Sequence, residues 1–294
     1  MQSALIVYST HTERYAKVLS RKYKEVVFLK VKSPPTKEVL KIKCDKDIVI
    51  AIGGGSVIDT AKIISKRRRC IAIPTTAAGA AMTPYATIWG KKKKSIFTKK
   101  PILKMDYGLP KRLPFKVLQS TVFDALSHAI ESFWSKDATS WSKHYSKRAI
   151  YLINKYLGKL NNRLRREDIN RLITAGNLAG QAIAITKTNV VHAASYPITI
   201  EYGIDHGTVC GMLLPYFVEF MDFSRLPKLF NLNSTPELVT LLKRSFILPK
   251  IKKFNPKVIA NKIMKYDKIK NGPKRINKNI LMKILQNVII DSNR

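Results

Sequence analysis

Four side chains in the second half of the chain carry the strongest chemical signal. Asp124 and His128 stand four apart in DALSHAIESF. On a helix that spacing puts both on one face, one turn apart, a common arrangement for two ligands of one metal ion. His192 lies in the uncharged stretch VVHAASYP, and His206 lies in DHGTVCGMLLP, beside a glycine and ahead of an apolar run. A single histidine in such a setting is usually a satisfied core residue. One Asp and three His in one region make a donor set that suits Fe²⁺ or Zn²⁺ with a position left open.

A second signal lies nearer the N-terminus. DIVIAI (47–52) reads as a buried strand and runs straight into Gly53, Gly54, Gly55 and Ser56, with a helix expected from about Val57 to Lys66. Glycines let the backbone approach an anion without a Cβ in the way, and the helix that follows points unpaired N–H groups at it. Ser56 can cap that helix or donate its hydroxyl. The order is not G-x-G-x-x-G, so the ordinary Rossmann fingerprint is absent. PTTAAGAA (74–81) follows the next strand, at the sheet end where open α/β proteins bind ligands.

The elements that must hold these groups fall into two halves. Ala4 to Tyr8, Val26 to Val31, Asp47 to Ile52 and Cys70 to Ile73 read as strands. Thr12 to Tyr23, Lys37 to Lys43 and Val57 to Lys66 read as intervening helices. Strand and helix alternating at these lengths predict a parallel sheet. From about Gln119 the pattern changes to long helices, among them Phe123 to Trp134, Lys143 to Leu157 and Asp168 to Thr186. Ile198 to Tyr202 is the one strand candidate there. The predicted fold class is α/β. A Rossmann-like parallel-sheet nucleotide-binding domain spans 1–118, and an all-helical metal-binding domain spans 119–294, joined near 108–119.

Composition narrows the partners. The 294 residues are 45% hydrophobic, which excludes wholesale disorder. Lys and Arg number 54 against 19 Asp and Glu, a formal net charge of +35 that favours anionic partners. The Lys-rich tracts are dispersed, which fits a solvated surface better than a nucleic-acid groove. Cys44, Cys70 and Cys210 include no C-x-x-C, so neither a disulfide framework nor a thiolate zinc site is indicated. No run approaches the roughly 18 apolar residues of a membrane span, and a reduced, cytoplasmic setting is the expectation.

Taken together, AIGGGSVIDTAK (51–62), IPTTA (73–77), TPYATIW (83–89), DALSHAIESFWS (124–135) and HAASYPITIEYGIDHG (192–207) resemble the iron-containing alcohol dehydrogenase family. The fold of that family is related to those of glycerol dehydrogenase and dehydroquinate synthase. The resemblance implies that Asp124, His128, His192 and His206 are the metal ligands. It also implies that Gly53, Gly54, Gly55, Ser56 and Asp59, with Thr75 and Thr76, bind NAD or NADP. GNLAGQAIAITKTNVVHAASYPIT (176–199) looks like the phosphonoacetaldehyde reductase branch of the family. Where many members carry a further histidine this chain has Tyr196, and the family's P-T-T-A-G-T-G-S-E-V-T-P is shortened to PTTAAGAAMTP. Tyr8, Ser9 and Thr10 stand where many members have an Asp that would repel a 2′-phosphate, so NADH and NADPH both remain open.

The expected function is therefore a metal-dependent, NAD(P)-linked alcohol dehydrogenase or aldehyde reductase. Its metal would be Fe²⁺, with Zn²⁺ as the alternative, and its partner a small alcohol or aldehyde. The proton would leave through solvent or through a hydroxyl relay involving Tyr196. Lys187, five residues before His192, could lie within about 8 Å of it along a helix and anchor an anionic, phosphonate-like substrate. The rival is a fold-retaining binding protein for an anionic metabolite or nucleic acid with weak or no catalysis. A dehydroquinate-synthase-like lyase fits the motifs less well. A homo-oligomer is compatible with the sequence.

Overall fold

Short apolar runs build the first part of the molecule. The computed structural model describes residues 2–66, 68–109, 113–160, 164–250 and 254–293. Its strands are β1 (Ala4–Tyr8), β2 (Val26–Lys30), β3 (Ile48–Gly53), β4 (Arg69–Pro74), β5 (Tyr85–Ile88), β6 (Lys94–Phe97) and β7 (Ile102–Leu103). Five of them form one parallel sheet in the order β2-β1-β3-β4-β7. The central strand β3 is buried along its whole length, as a parallel strand covered on both faces must be. One face packs Val57, Ile58, Ala61 and Ile64 of α2 (Gly55–Ser65) against Leu5, Val7, Val49 and Ala51. The other packs Ala16 and Leu19 of α1 (Glu13–Ser20) against Ile6, Ile50 and Ile52.

Strands β5 and β6 pair antiparallel as a separate hairpin. The alternation of long runs does not predict this hairpin, because each strand is four residues long and partly exposed. It is fastened to α2 from below. Lys62, fully buried, donates to the Tyr85 carbonyl at 2.6 Å and to Asp59 Oδ1 at 3.1 Å. Asp59 Oδ2 accepts from the Thr87 N–H at 2.9 Å.

The second part is helical. It comprises α3 (Phe115–Trp134), α4 (Ser140–Leu157), α5 (Arg166–Thr186), α6 (Val190–Tyr202), α7 (His206–Met221), α8 (Thr235–Ser245), α9 (Pro256–Ile263) and α10 (Lys278–Ser292). α3 is its spine, buried almost continuously from Leu118 to Trp134 and packed on α4, α5 and α7. It begins ahead of the expected 118/119 boundary, and residues 110–112 of the expected link lie outside the described residues.

The strand expected over Ile198 to Tyr202 is instead the last part of α6. Its β-branched run favours a strand locally, but the surroundings override that preference. The Asn189 side chain caps the helix start, Gly203 closes its end at φ +65°, and Ile198 is fully buried. No helix among the described residues is long and apolar enough to cross a membrane.

Candidate functional site

Three helices bring the four predicted donors together. Asp124 and His128 come from one face of α3, His192 from the first turn of α6, and His206 from the first residue of α7. The start of α7 can approach α3 because residue 207 is glycine. A Cβ there would stand 2.4 Å from the Ser120 carbonyl oxygen. Asp205 caps α7 through the Thr208 N–H and also accepts from the Ser120 hydroxyl, which fixes His206 opposite α3.

Asp124 Oδ1 is the hub. It lies 3.3 Å from His192 Nε2 and 3.8 Å from Nε2 of both His128 and His206. Hydrogen bonding sets the tautomers. Glu131, fully buried, faces His192 Nδ1 at 2.5 Å, so that nitrogen carries the proton and Nε2 presents a lone pair. The Ser195 hydroxyl donates its one proton to the His192 carbonyl at 2.8 Å, so it accepts from His206 Nδ1 at 3.1 Å. His206 Nε2 is then also a lone pair. His128 Nδ1 is buried with no hydrogen-bond partner, and its ring stacks on His192 at 4.3 Å. Nε2 of His192 and Nε2 of His206 thus converge with Asp124 Oδ1 as acceptors, with His128 Nε2 3.8 Å from the same oxygen, an arrangement that a shared cation would satisfy.

The electrostatics agree. Burial holds His128 down at about 3 and His206 well below the usual imidazole value, so both stay neutral and ready to ligate. Burial works against ionised Asp124, but His128, His192 and His206 outweigh it and keep the carboxyl well below the usual range. Burial also disfavours a charged His192, but Cys210, Glu131 and Asp124 pull that ring well above its ordinary value. Without a metal, a proton answers the same field.

Two further groups of the centre escape a reading of the sequence. Cys210 Sγ is 4.0 Å from His206 Nε2, and Asp124, His192, His206 and Cys210 offer ligand atoms within 4.8 Å of one another. The signal was the one-turn spacing of His206 and Cys210 on α7. Glu131 accepts from the N–H groups of Asn189, Val191 and His192 at the start of α6. Its signal was the run Asp124, His128, Glu131, which stays on one helical face.

The glycine loop sits between β3 and α2 as expected. A Cβ on Gly53 would meet Val57 Cγ2 at 2.7 Å, so Gly53 serves packing. On Gly54 it would press on Thr76 Oγ1 at 3.1 Å, and on Gly55 it would meet only ordinary contacts at 3.9 Å. Gly54 is the N-cap of α2 and supplies no capping side chain, which leaves the first-turn N–H groups for an anion. Ser56 is half-buried in that first turn, Thr75 binds the Gly53 carbonyl through its N–H at 3.1 Å, and Thr76 stands over Gly54. Asp59, expected to contact the cofactor, ties α2 to the hairpin through Lys62 and the Thr87 N–H.

The hairpin carries the first part of the molecule to the donor set. Trp89 meets the His206 ring edge-on at 5.6 Å, and Lys93 Nζ reaches within 3.5 Å of His206 Nε2. Tyr196, buried, stacks on His206 at 5.7 Å, with its hydroxyl 3.4 Å from Thr188 Oγ1. Burial opposes ionisation of that phenol, but Lys93, Lys268 and His192 outweigh it and lower it to about 8. Lys187 is not brought to these residues. It caps the end of α5 at φ +60°, and its side chain is exposed.

A parallel-sheet part with a glycine loop at a bare helix start, joined to a helical part with a converging His/Asp donor set, has the build expected of a nucleotide-linked metalloprotein of the dehydrogenase type. Residues 2–105 match the family model of iron-containing alcohol dehydrogenase, and residues 119–235 match the C-terminal model of the Fe-containing alcohol dehydrogenase family. The chain belongs to this family. It is 29% identical over 203 residues to phosphonoacetaldehyde reductase of Streptomyces viridochromogenes, covering 57% of this chain and 51% of that one. It is 32% identical over 189 residues to 4-hydroxybutyrate dehydrogenase of Clostridium kluyveri, covering 54% and 50%. The matched stretch spans about half the length of these curated relatives. Among solved structures, an iron-containing alcohol dehydrogenase from Thermotoga maritima superposes with a TM-score of 0.84 at 24% identity, covering 98% of this chain and 92% of that one. Sulfoacetaldehyde reductase from Bifidobacterium kashiwanohense, in complex with NAD+, superposes with a TM-score of 0.86 at 21% identity, covering 98% and 91%.

Proposed function

We propose that the chain is a metal-dependent, NAD(P)-linked alcohol dehydrogenase that also runs as an aldehyde reductase, built as two domains that meet at the donor set. The observation that carries this reading is the convergence of acceptor atoms from Asp124, His192 and His206, with His128 stacked beside them. These four residues would hold Fe²⁺ or Zn²⁺. The first turn of α2, with Gly54, Gly55, Ser56 and Thr76, would hold the pyrophosphate of NAD or NADP. When bound, the metal supplies Lewis acidity toward a substrate oxygen, and the nicotinamide supplies or accepts hydride.

The chain's own residues do the rest. Glu131 locks the His192 tautomer, and Ser195 locks that of His206. Trp89, Tyr196 and the hairpin cover the donor set and limit water there. In alcohol oxidation Tyr196, whose ionised form Lys93 and Lys268 favour, would take up the substrate proton and release it to solvent at the half-buried edge where Thr188 and Lys268 lie. Retention of the whole donor set is what disfavours the binding-only alternative.

The direct test is metal analysis of anaerobically purified protein, followed by an aldehyde panel with NADH and with NADPH. Absence of both metal and turnover would sink the proposal. Tyr196→Phe reports on the relay. Wild-type kcat for alcohol oxidation should rise with pH as the phenol, which burial raises but Lys93 and Lys268 lower to about 8, ionises, and the Phe variant should lose that rise. An unchanged pH profile would return Tyr196 to a packing role. Gly54→Val tests the loop. Gly54 has an ordinary φ of −80°, so the fold should survive, while the branched side chain presses on Thr76. We expect Kd for NADH and NADPH, followed by fluorescence titration, to rise by about tenfold or more. Unaltered affinity would reduce the loop to a turn.

A further inference from the structure

Two lysines face the site without a carboxylate of their own. Lys93 Nζ sits 4.0 Å from the centroid of the Tyr196 ring and 4.9 Å from that of Trp89. Lys268 Nζ sits 5.7 Å from the same Tyr196 ring and bonds to Thr188 Oγ1. They come from distant parts of the chain, one from the β5–β6 turn and one from the segment between α9 and α10. Both are half-buried, and neither forms an ion pair among the described residues. The two buried lysines among the described residues are neutralised, Lys62 by Asp59 and Lys46 by Glu25.

Two ammonium groups turned toward one buried ring repel each other, and partial desolvation raises that cost. Lys93 also donates to the His206 Nε2 lone pair, the one a metal would take. With that lone pair taken, the Lys93 ammonium would have no protein acceptor left. An incoming anion supplies the missing partner for both lysines and relieves their repulsion.

The Lys93 position is not incidental. The Asp59–Lys62 pair, its lysine fully buried, fixes the hairpin to α2 through Tyr85 and Thr87, and the turn of that hairpin delivers Trp89 and Lys93 to the donor set.

We propose that Lys93 and Lys268 form an anion subsite that selects aldehydes or alcohols bearing a distal carboxylate, phosphonate or similar group. This rests on the oxidoreductase reading and names its substrate class. Lys187 has no part in the subsite. The same anion chemistry is present in the phosphates of the cofactor, and the test separates the two sources.

The probe pair is 4-oxobutanoate and pentanal, close in size and different in charge, assayed with metal-loaded wild type, Lys93→Met, Lys268→Met and Lys93→Arg. The expected result is a fall of about tenfold or more in the ratio of kcat/KM for 4-oxobutanoate to that for pentanal in each Met variant, with partial recovery in Lys93→Arg. The ratio cancels any general damage to the site. A parallel fall for both aldehydes overturns the subsite. A rise confined to the KM of the nicotinamide cofactor overturns it too, by assigning the lysines to the cofactor. Binding of inorganic phosphate to the same proteins, read by calorimetry, gives a second measure that needs no turnover. If wild type reduces no aldehyde, the oxidoreductase reading fails. In that case phosphate affinity that depends on Lys93 and Lys268 upholds the anion site, and affinity that does not depend on them removes it.

Discussion

His192→Ala is expected to leave the purified protein with about a tenth or less of the wild-type iron or zinc, and to lower aldehyde reduction by about a hundredfold or more. The size of the effect follows from what the ring does. His192 Nε2 is the donor nearest Asp124 Oδ1, at 3.3 Å, and its ring stacks on His128 and meets His206 edge-on. Its loss removes a ligand and also leaves Glu131, fully buried, without its imidazole partner. Glu131→Gln separates these two contributions. It keeps every donor but weakens the lock on the His192 tautomer, so metal affinity should fall by about ten- to a hundredfold and no further. Wild-type metal content in His192→Ala would sink the donor set. The paired variants His128→Ala and Cys210→Ala then decide its fourth member. Loss of metal with Cys210→Ala but not with His128→Ala would make the set Asp124, His192, His206 and Cys210, the group whose ligand atoms lie within 4.8 Å. The thiolate would shift preference from iron toward zinc.

The parts of this centre that the sequence exposes are those fixed by local periodicity. Asp124 and His128 share a helical face by arithmetic, and the run from β3 into the glycines can fold in few other ways. The strands β1, β3 and β4 were legible because each is an apolar run buried along most of its length, whereas β2 is apolar in sequence but largely exposed at the sheet edge. What stayed hidden depends on contacts distant in sequence. Glu131 is unremarkable in SHAIESF until α6 places three N–H groups and an imidazole against it across about 60 positions. Lys93 is one of four consecutive lysines, and only the turn of a hairpin with four-residue strands singles it out. Lys187 illustrates the converse. Nearness in sequence to His192 suggested a role, but the chain leaves α5 at positive φ there, and its neighbours Thr186 and Thr188 are the buried ones. The Ile198 to Tyr202 run failed for a related reason. Caps at Asn189 and Gly203 and burial of its first residue decided its conformation, against its β-branched composition.

The loop PTTAAGAAMTP packs on α5 in a seam that yields the other large effect. Residues 77–79 of this loop lie directly on α5, backbone against backbone. A Cβ on Gly176 would stand 1.7 Å from the Ala77 carbonyl oxygen, and one on Gly180 would stand 2.3 Å from the Gly79 carbonyl oxygen. Gly79 itself sits at φ +74° with its α-carbon turned toward the Gly176 carbonyl, so it meets both a conformational and a steric limit. The obstacles are carbonyl groups of a loop pinned by β4, so no flexible side chain can give way. Gly176→Ala should therefore cost about 3 kcal/mol or more, and lower Tm by roughly 6–12 °C for a chain of this size. Gly158→Ala, where an added Cβ meets nothing within 4 Å, should change stability by less than about 0.5 kcal/mol. The functional consequence is specific. Ala77 and Gly79 continue the chain from Thr75 and Thr76, so pushing the loop off α5 moves the threonines that stand beside the glycine loop. The metal donors on α3, α6 and α7 are held by other contacts. Below its melting range, Gly176→Ala should keep its metal while binding NAD(P)H more weakly. Loss of metal and nucleotide affinity in step would show that this seam carries the whole site rather than the nucleotide loop alone.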